Sequence, residues 1–188
     1  MRQPLLSIAF AAGLLGSAAA GACPDPADVT GELQGLIEEA RSAETFRDGH
    51  RISGAMWEVW LRAPDEAAQE VLDAGMRRRD VADYLGAIEQ FDRLAAYCPT
   101  YAEGFNQRAF VNFLRGDFES ALVDLDIALD LQPLHVAAQS GRALTLMNLG
   151  RLEEARSQLL SAVALNPWLS EKVLLSDGAP LGLPGEEL

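Results

Sequence analysis

Apolar residues recur along this chain three and four positions apart, the spacing that lines one face of a helix. Between residues 27 and 62, Leu33, Leu36, Ile37 and Ala40 form one stripe. Ile52, Ala55, Met56, Val59 and Trp60 form a second, with Phe46 to Gly49 between them. Further on, Phe118, Ala121, Leu122, Leu125, Ala128 and Leu129 keep the same rhythm. Prolines punctuate the pattern at Pro64, Pro99, Pro133 and Pro167. A proline cannot continue a helix, and it biases the residue before it away from helix. The expected fold class is therefore all-α.

The punctuation is periodic. Pro99, Pro133 and Pro167 lie 34 residues apart, and so do Ala87, Ala121 and Ala155. Phe91, Leu125 and Leu159 keep the spacing, as do Gly75, Ala109 and Ala143. Three windows follow without a gap: 68–101, 102–135 and 136–169. Each reads as helix, turn, helix, proline, with the turn at Ala82, Gly116 or Gly150. A period of this length marks a stack of supersecondary units, each burying its apolar face on its neighbours.

These windows resemble the tetratricopeptide repeat family. The resemblance rests on the 34-residue period, a small residue inside the first helix and the turn glycine. It also rests on the Ala-x-x-x-Phe/Leu-x-x-Ala pattern of the second helix and the closing proline. It covers 102 of 188 residues. Ala82 departs from the turn glycine, and Val71, Phe105 and Gln139 stand where the family places tryptophan. Arg108 and Arg142 replace the commoner leucine; the expected partners are Asp124 for the first and Asp124 or Asp126 for the second.

The resemblance implies a right-handed superhelical solenoid of antiparallel helix pairs whose concave groove binds a peptide or a partner helix. Projected onto this chain, the groove positions are Leu72, Met76 and Arg79, then Asn106, Phe110 and Phe113, then Ser140, Leu144 and Met147. Relatives that grip acidic chaperone C-termini use lysine, asparagine and arginine at set concave places. Those places here hold Leu72, Met76, Gln107, Ala137 and Gly141, so no cationic clamp is expected. Residues 23–67 are expected to form an N-terminal helical cap, a degenerate repeat with Trp57 and Trp60 in its core. Residues 170–188 are expected to form a short closing helix, begun at Trp168, and a flexible tail.

The first 22 residues read as a leader. Arg2 precedes an apolar run, Leu5 to Leu15, and small residues then offer cleavage after Ala20 or after Ala22. Cys23 then stands at or near the new N-terminus. Two uses for it remain open. One is a disulfide with Cys98, the only other cysteine, worth about 4 kcal/mol for so long a loop. The other is lipidation, which would hold the chain to a membrane. The reading is an exported, periplasmic protein, with a membrane-anchored lipoprotein as the alternative.

Composition narrows the chemistry. With 49% hydrophobic residues the chain has material for a core. A net charge of −13, from 28 acids against 15 bases, disfavours nucleic acid and anionic lipid surfaces. Two cysteines and two histidines leave no expected metal centre. No phosphate loop, nucleotide-binding glycine pattern or nucleophile elbow is present. Asp124 and Asp126 point different ways on one helix, and neither cysteine has a histidine base. The expectation is a non-enzyme without a small-molecule cofactor, whose partner is a protein or peptide.

Overall fold

In the computed structural model, residues 22–182 are described. The leader and its cleavage sites lie outside the described residues, apart from Ala22. So does the tail beyond 182. Eight α-helices follow one another: α1 Thr30–Ser42, α2 Phe46–Trp60, α3 Glu66–Asp80, α4 Tyr84–Tyr97, α5 Ala102–Leu114, α6 Phe118–Leu131, α7 Val136–Asn148 and α8 Leu152–Leu165. A 3₁₀ helix, Ser170–Leu175, ends the series. There is no strand among the described residues.

The three turns inside the windows are one motif used three times. At the first, Asp83 N–H donates to Arg78 O at 2.9 Å and Ala82 N–H to Arg79 O at 2.9 Å. The second repeats this from Asp117 to Asn112 and from Gly116 to Phe113; the third from Arg151 to Leu146 and from Gly150 to Met147. Such paired bonds satisfy the last carbonyls of a helix and require a left-handed residue just past its end. Gly116 and Gly150 supply it at φ 78° and 74°. Ala82 takes φ 59° despite its Cβ. Asp83 and Asp117 then cap the following helix through the N–H groups of Gly86 and Ser120.

Each helix pair crosses on small residues. Ala87, Ala121 and Ala155 are fully buried, each one turn before Phe91, Leu125 or Leu159 on the same helix and in the same cluster. In the first window a Cβ added to Gly75 would run into the Phe91 ring. In the other two, Ala109 shares a buried cluster with Leu125, and Ala143 shares one with Leu159. The glycine is therefore the counterpart of the larger ring opposite it. Packing runs in order from α3 to α8. The two arginines are structural. Arg108 holds Asp124 through Nε at 2.9 Å and Nη2 at 2.6 Å, and reaches Asp92; Arg142 holds Asp126 at 2.7 Å.

Both ends depart from the expected plan. The α1–α2 hairpin does not stack on α3 as a further repeat. It packs on itself and reaches across to the far end, where Arg41 Nε donates to Ala164 O at 2.8 Å. Its core, Leu33, Ile37, Ala40, Ile52, Met56, Val59 and Trp60, joins Val136 of α7 and the flanks of Leu165 and Trp168. At the other end, the segment read as a flexible tail is folded back as far as Gly182. Leu181 is 1% exposed, buried with Leu146 and Leu159, and its N–H donates to Leu174 O at 2.9 Å. Leu181 covers the apolar side of the last repeat, which water would otherwise meet. Cys23 and Cys98 are joined, with Cα atoms 5.2 Å apart, so the start of the described chain is tied to the end of α4.

Two outcomes follow for stability in urea. Gly75→Ala should cost about 1–2 kcal/mol, because overpacking outweighs the gain in helix propensity. Combined with Phe91→Leu the same substitution should turn neutral or stabilising; an equal cost in both backgrounds would refute the size match. Ala82→Gly should stabilise by about 1 kcal/mol, by relieving the left-handed alanine. A lower unfolding midpoint would contradict that.

Candidate functional site

The inner faces of α5 and α7 form the floor of a pocket of about 340 Å³. Asn106, Gln107, Phe110 and Phe113 come from α5, and Ala137, Ser140, Gly141, Leu144 and Thr145 from α7. The opposite wall is α2, which contributes Phe46, His50, Ser53 and Trp57. The chain from Trp168 to Glu171 closes one end. The concave side is thus not an open trough along its length. The protein's own second helix walls it.

Five of the nine expected groove residues meet there: Asn106, Phe110, Phe113, Ser140 and Leu144. Four do not line it. Leu72 is 0% exposed, held in the α3–α4 core, with Leu61 and Ala63 of the α2–α3 link packed on the same cluster. Met76 packs on that cluster as well, and Met147 packs with Leu146 and Leu159. Arg79 sits beside the pocket. Its guanidinium lies 5.4 Å from the Phe110 ring centre and donates to Gln107 Oε1.

Four ring-bearing contributors escaped the sequence reading: Phe46, His50, Trp57 and Trp168. The signal existed. Phe46, His50, Ser53 and Trp57 follow one another by four, three and four positions, a second stripe on α2 beside the buried one. Trp57 is 39% exposed and faces the pocket, whereas Trp60 lies in the core as expected. Phe46 stacks on His50 at 5.3 Å, with 68% of its surface exposed.

A buried polar network fixes the floor to the wall. His135 caps α7, its Nδ1 accepting from Ala138 N–H at 3.2 Å. A backbone N–H can only donate, so Nδ1 carries no proton and Nε2–H donates to Glu103 Oε2 at 2.6 Å. Asn106 and Gln107 also donate to the Glu103 carboxylate. Three donors compensate a carboxylate that is buried. Trp60 stacks on the other side of this network, 4.3 Å from the His135 ring centre. Tyr101 Oη donates to Trp60 O at 2.7 Å; burial pushes its phenol pKa well up, so it stays a donor. Trp168 completes the attachment. Its ring lies where a Cβ on Gly49 would be, and its Nε1 donates to Ala40 O at 2.8 Å.

Among the described residues, no group of three or more histidine, cysteine, aspartate or glutamate side chains is placed to hold a metal ion. No described helix is long and apolar enough to cross a membrane.

No family model matches the chain. It is similar to a TPR repeat-containing protein of Rhizobium etli, 38% identical over 64 residues, covering 34% of this chain and 31% of the relative. It is similar to a tetratricopeptide repeat protein 36 homolog of Nematostella vectensis, 37% identical over 71 residues, covering 38% and 39%. With tetratricopeptide repeat protein 36 of Xenopus tropicalis it shares 30% identity over 114 residues, covering 58% and 56%. The chain spans about a third of the length of the first two relatives and just over half of the third. Among solved structures it is similar to the first TPR of Spaghetti (RPAP3) bound to the HSP90 peptide SRMEEVD. The TM-score is 0.55 at 24% identity, covering 56% of this chain and 84% of that one. The TPR2B domain of yeast Sti1, in a pHsp70 complex, gives 0.54 at 19%, covering 58% and 88%. The second TPR domain of human RPAP3, in complex with the HSP70 peptide SGPTIEEVD, gives 0.54 at 22%, covering 61% and 94%. At these identities the likeness is one of fold.

The attachment of the wall is testable. Trp168→Ala should destabilise by about 2 kcal/mol, less than the ~3–5 kcal/mol of a fully buried ring. Amide exchange should speed up in α1 and α2 while α3 to α6 keep their protection. Unchanged protection across 30–60 would show that the hairpin is held elsewhere.

Proposed function

We propose that this chain, a tetratricopeptide-repeat protein by its three in-phase windows and by the likenesses above, is a non-catalytic protein-interaction module. The observation that carries the reading is the pocket itself. It is a concave, largely apolar site built from inner-face residues of two consecutive repeats. Similar folds hold short chaperone peptides. Here the wall formed by α2 shortens the available groove. An extended partner segment anchors by one or two apolar side chains, rather than laying a whole helix along the solenoid. An acidic C-terminal tail is not the proposed ligand, because Leu72, Met76, Gln107, Ala137 and Gly141 offer it no positive charge.

The compartment is part of the proposal. A leader-like start and a Cys23–Cys98 bond together support export to an oxidising space, the periplasm in a bacterial cell. The bond uses the Cys23 thiol that a lipid anchor would need, which favours the unanchored form over the lipoprotein.

Phe110 is 46% exposed at the pocket and is the natural residue to change. The experiment immobilises the wild type and Phe110→Asp and challenges both with extract from the source cells. A partner captured by the wild type should bind the variant about 30-fold more weakly, the ~2 kcal/mol of an interface anchor. Circular dichroism checks that both are folded. Equal recovery by two folded proteins would place the interaction surface elsewhere.

A further inference from the structure

The pocket carries more information than its shape, because one residue of its lining, Ser140, holds an unsatisfied polar atom that is itself enclosed, so that a turn of its side chain is what would present it to an occupant. Ser140 is 4% exposed, lines the pocket, and its Oγ has no hydrogen-bond partner among the described residues. A helical hydroxyl has an easy default, the carbonyl four residues back. Ser53, Thr145 and Ser161 all take it, donating to Gly49 O, Gly141 O and Ser157 O at 2.9, 2.8 and 3.1 Å. Ser140 does not. A buried hydroxyl without a partner is uncommon in native proteins and calls for an explanation. Trp60 Nε1, Gln139 Oε1 and Arg156 Nε share that condition, but of the four only Ser140 belongs to the pocket lining, where an occupant could supply the bond.

The rest of the lining says what kind of occupant. The volume of about 340 Å³ lies in the range of small-ligand sites, roughly 300–1,000 Å³. Rings from three separate parts of the chain surround it: Phe46 and Trp57 from α2, Phe110 from α5, and Trp168. Ring faces and edges pack well on another planar ring. No lysine or arginine lines the pocket, and Glu171 at the closing end is its one formal charge. An anion would find no counter-charge among the lining residues. A cation would find one carboxylate, already accepting from Ser170 Oγ, and would meet the Arg79 guanidinium over the Phe110 ring and the Lys172 ammonium over the Trp168 ring.

We infer that the pocket takes a neutral aromatic ring bearing one hydrogen-bonding group, the ring against the aromatic walls and the polar group on Ser140 Oγ. This rests on the reading of the pocket as the partner site and names the chemistry of what enters it. Such a ring can arrive as a free phenol-like compound or as a tyrosine-type side chain on an extended partner.

The test is calorimetric titration of the intact protein with four probes that differ by one feature. They are p-cresol, toluene without the hydroxyl, tyramine with a positive charge, and 4-hydroxyphenylacetate with a negative one. p-Cresol should bind saturably and at least fivefold more tightly than each of the others. Ser140→Ala should abolish its margin over toluene, and Leu144→Trp, which fills the pocket, should abolish binding while the fold persists. The inference is overturned by no saturable p-cresol binding at millimolar concentration, or by equal binding of toluene. It is overturned equally by a charged probe binding better, or by a margin that survives Ser140→Ala. A blocked pentapeptide with tyrosine between alanines separates the sources. Tenfold tighter binding than p-cresol means the ring comes on a partner chain, and no gain means a free compound. If p-cresol fails while Phe110→Asp still loses its captured partner, the ligand class is wrong and the site stands. If both fail, the site itself is wrong.

Discussion

The close crossing of each helix pair on a small residue is the constraint from which the rest follows. Gly75 faces the Phe91 ring, while Ala109 and Ala143 share buried clusters with Leu125 and Leu159, so the pairing is graded. Packing at interior density leaves no slack for a mismatch of one methyl group. The crossing distance in turn sets how α4 meets α5 and how α6 meets α7, and so where the inner faces of α5 and α7 come to lie. Asn106 and Ser140 are 34 residues apart in the chain and share one pocket because two such crossings are nearly alike.

Once the stack exists, the N-terminal hairpin has one good place to bury its apolar side. Trp60 lands on His135, and His135 is held by the α7 cap on one nitrogen and Glu103 on the other. That arrangement is specific in a way that apolar packing is not. Moving α2 by one helical turn would strand the Trp60 ring, leave Tyr101 Oη without the Trp60 carbonyl, and remove the Gly49 surface from under Trp168. Buried polar groups are costly when unpaired, so this set selects one docking register against its neighbours. The wall of the pocket is fixed by the same contacts that hold the hairpin.

Much of this was legible beforehand. The period located three turns and each closing proline, because repeats force the same local solution three times. Arg108 was expected on Asp124 and is found there, and of the two partners open to Arg142, Asp124 and Asp126, it takes Asp126. The placement of α1 and α2 was not legible. Their stripes state how much surface must be buried and on which face, yet contain nothing about which distant surface receives it. Leu72 was misplaced for that reason: its groove position is real by register, but the link that leads out of α2 packs on its cluster. Leu181 was missed because glycines and prolines around it read as a loose tail. A single well-placed leucine suffices to fold such a segment onto an exposed repeat face. Phe46, His50 and Trp57 were visible as a stripe only once α2 was known to begin at Phe46.

A walled pocket and an open groove bind by different economies. An open groove gathers affinity from length, and each ordered residue of the partner costs roughly 1–2 kcal/mol of backbone entropy. A rigid pocket gathers it from a few atoms already held in place, since preorganised walls remove the ordering cost on the protein's side. This chain has invested in rigidity. The disulfide ties residue 23 to α4, Trp168 clamps the hairpin at its other end, and the Glu103–His135 network stiffens the floor between them. The chain carries a net charge of −13, while one carboxylate is the only formal charge in the pocket lining among the described residues. On the proposed reading, the aromatic walls and Ser140 select the occupant, and the acidic surface around them bears on which molecules approach.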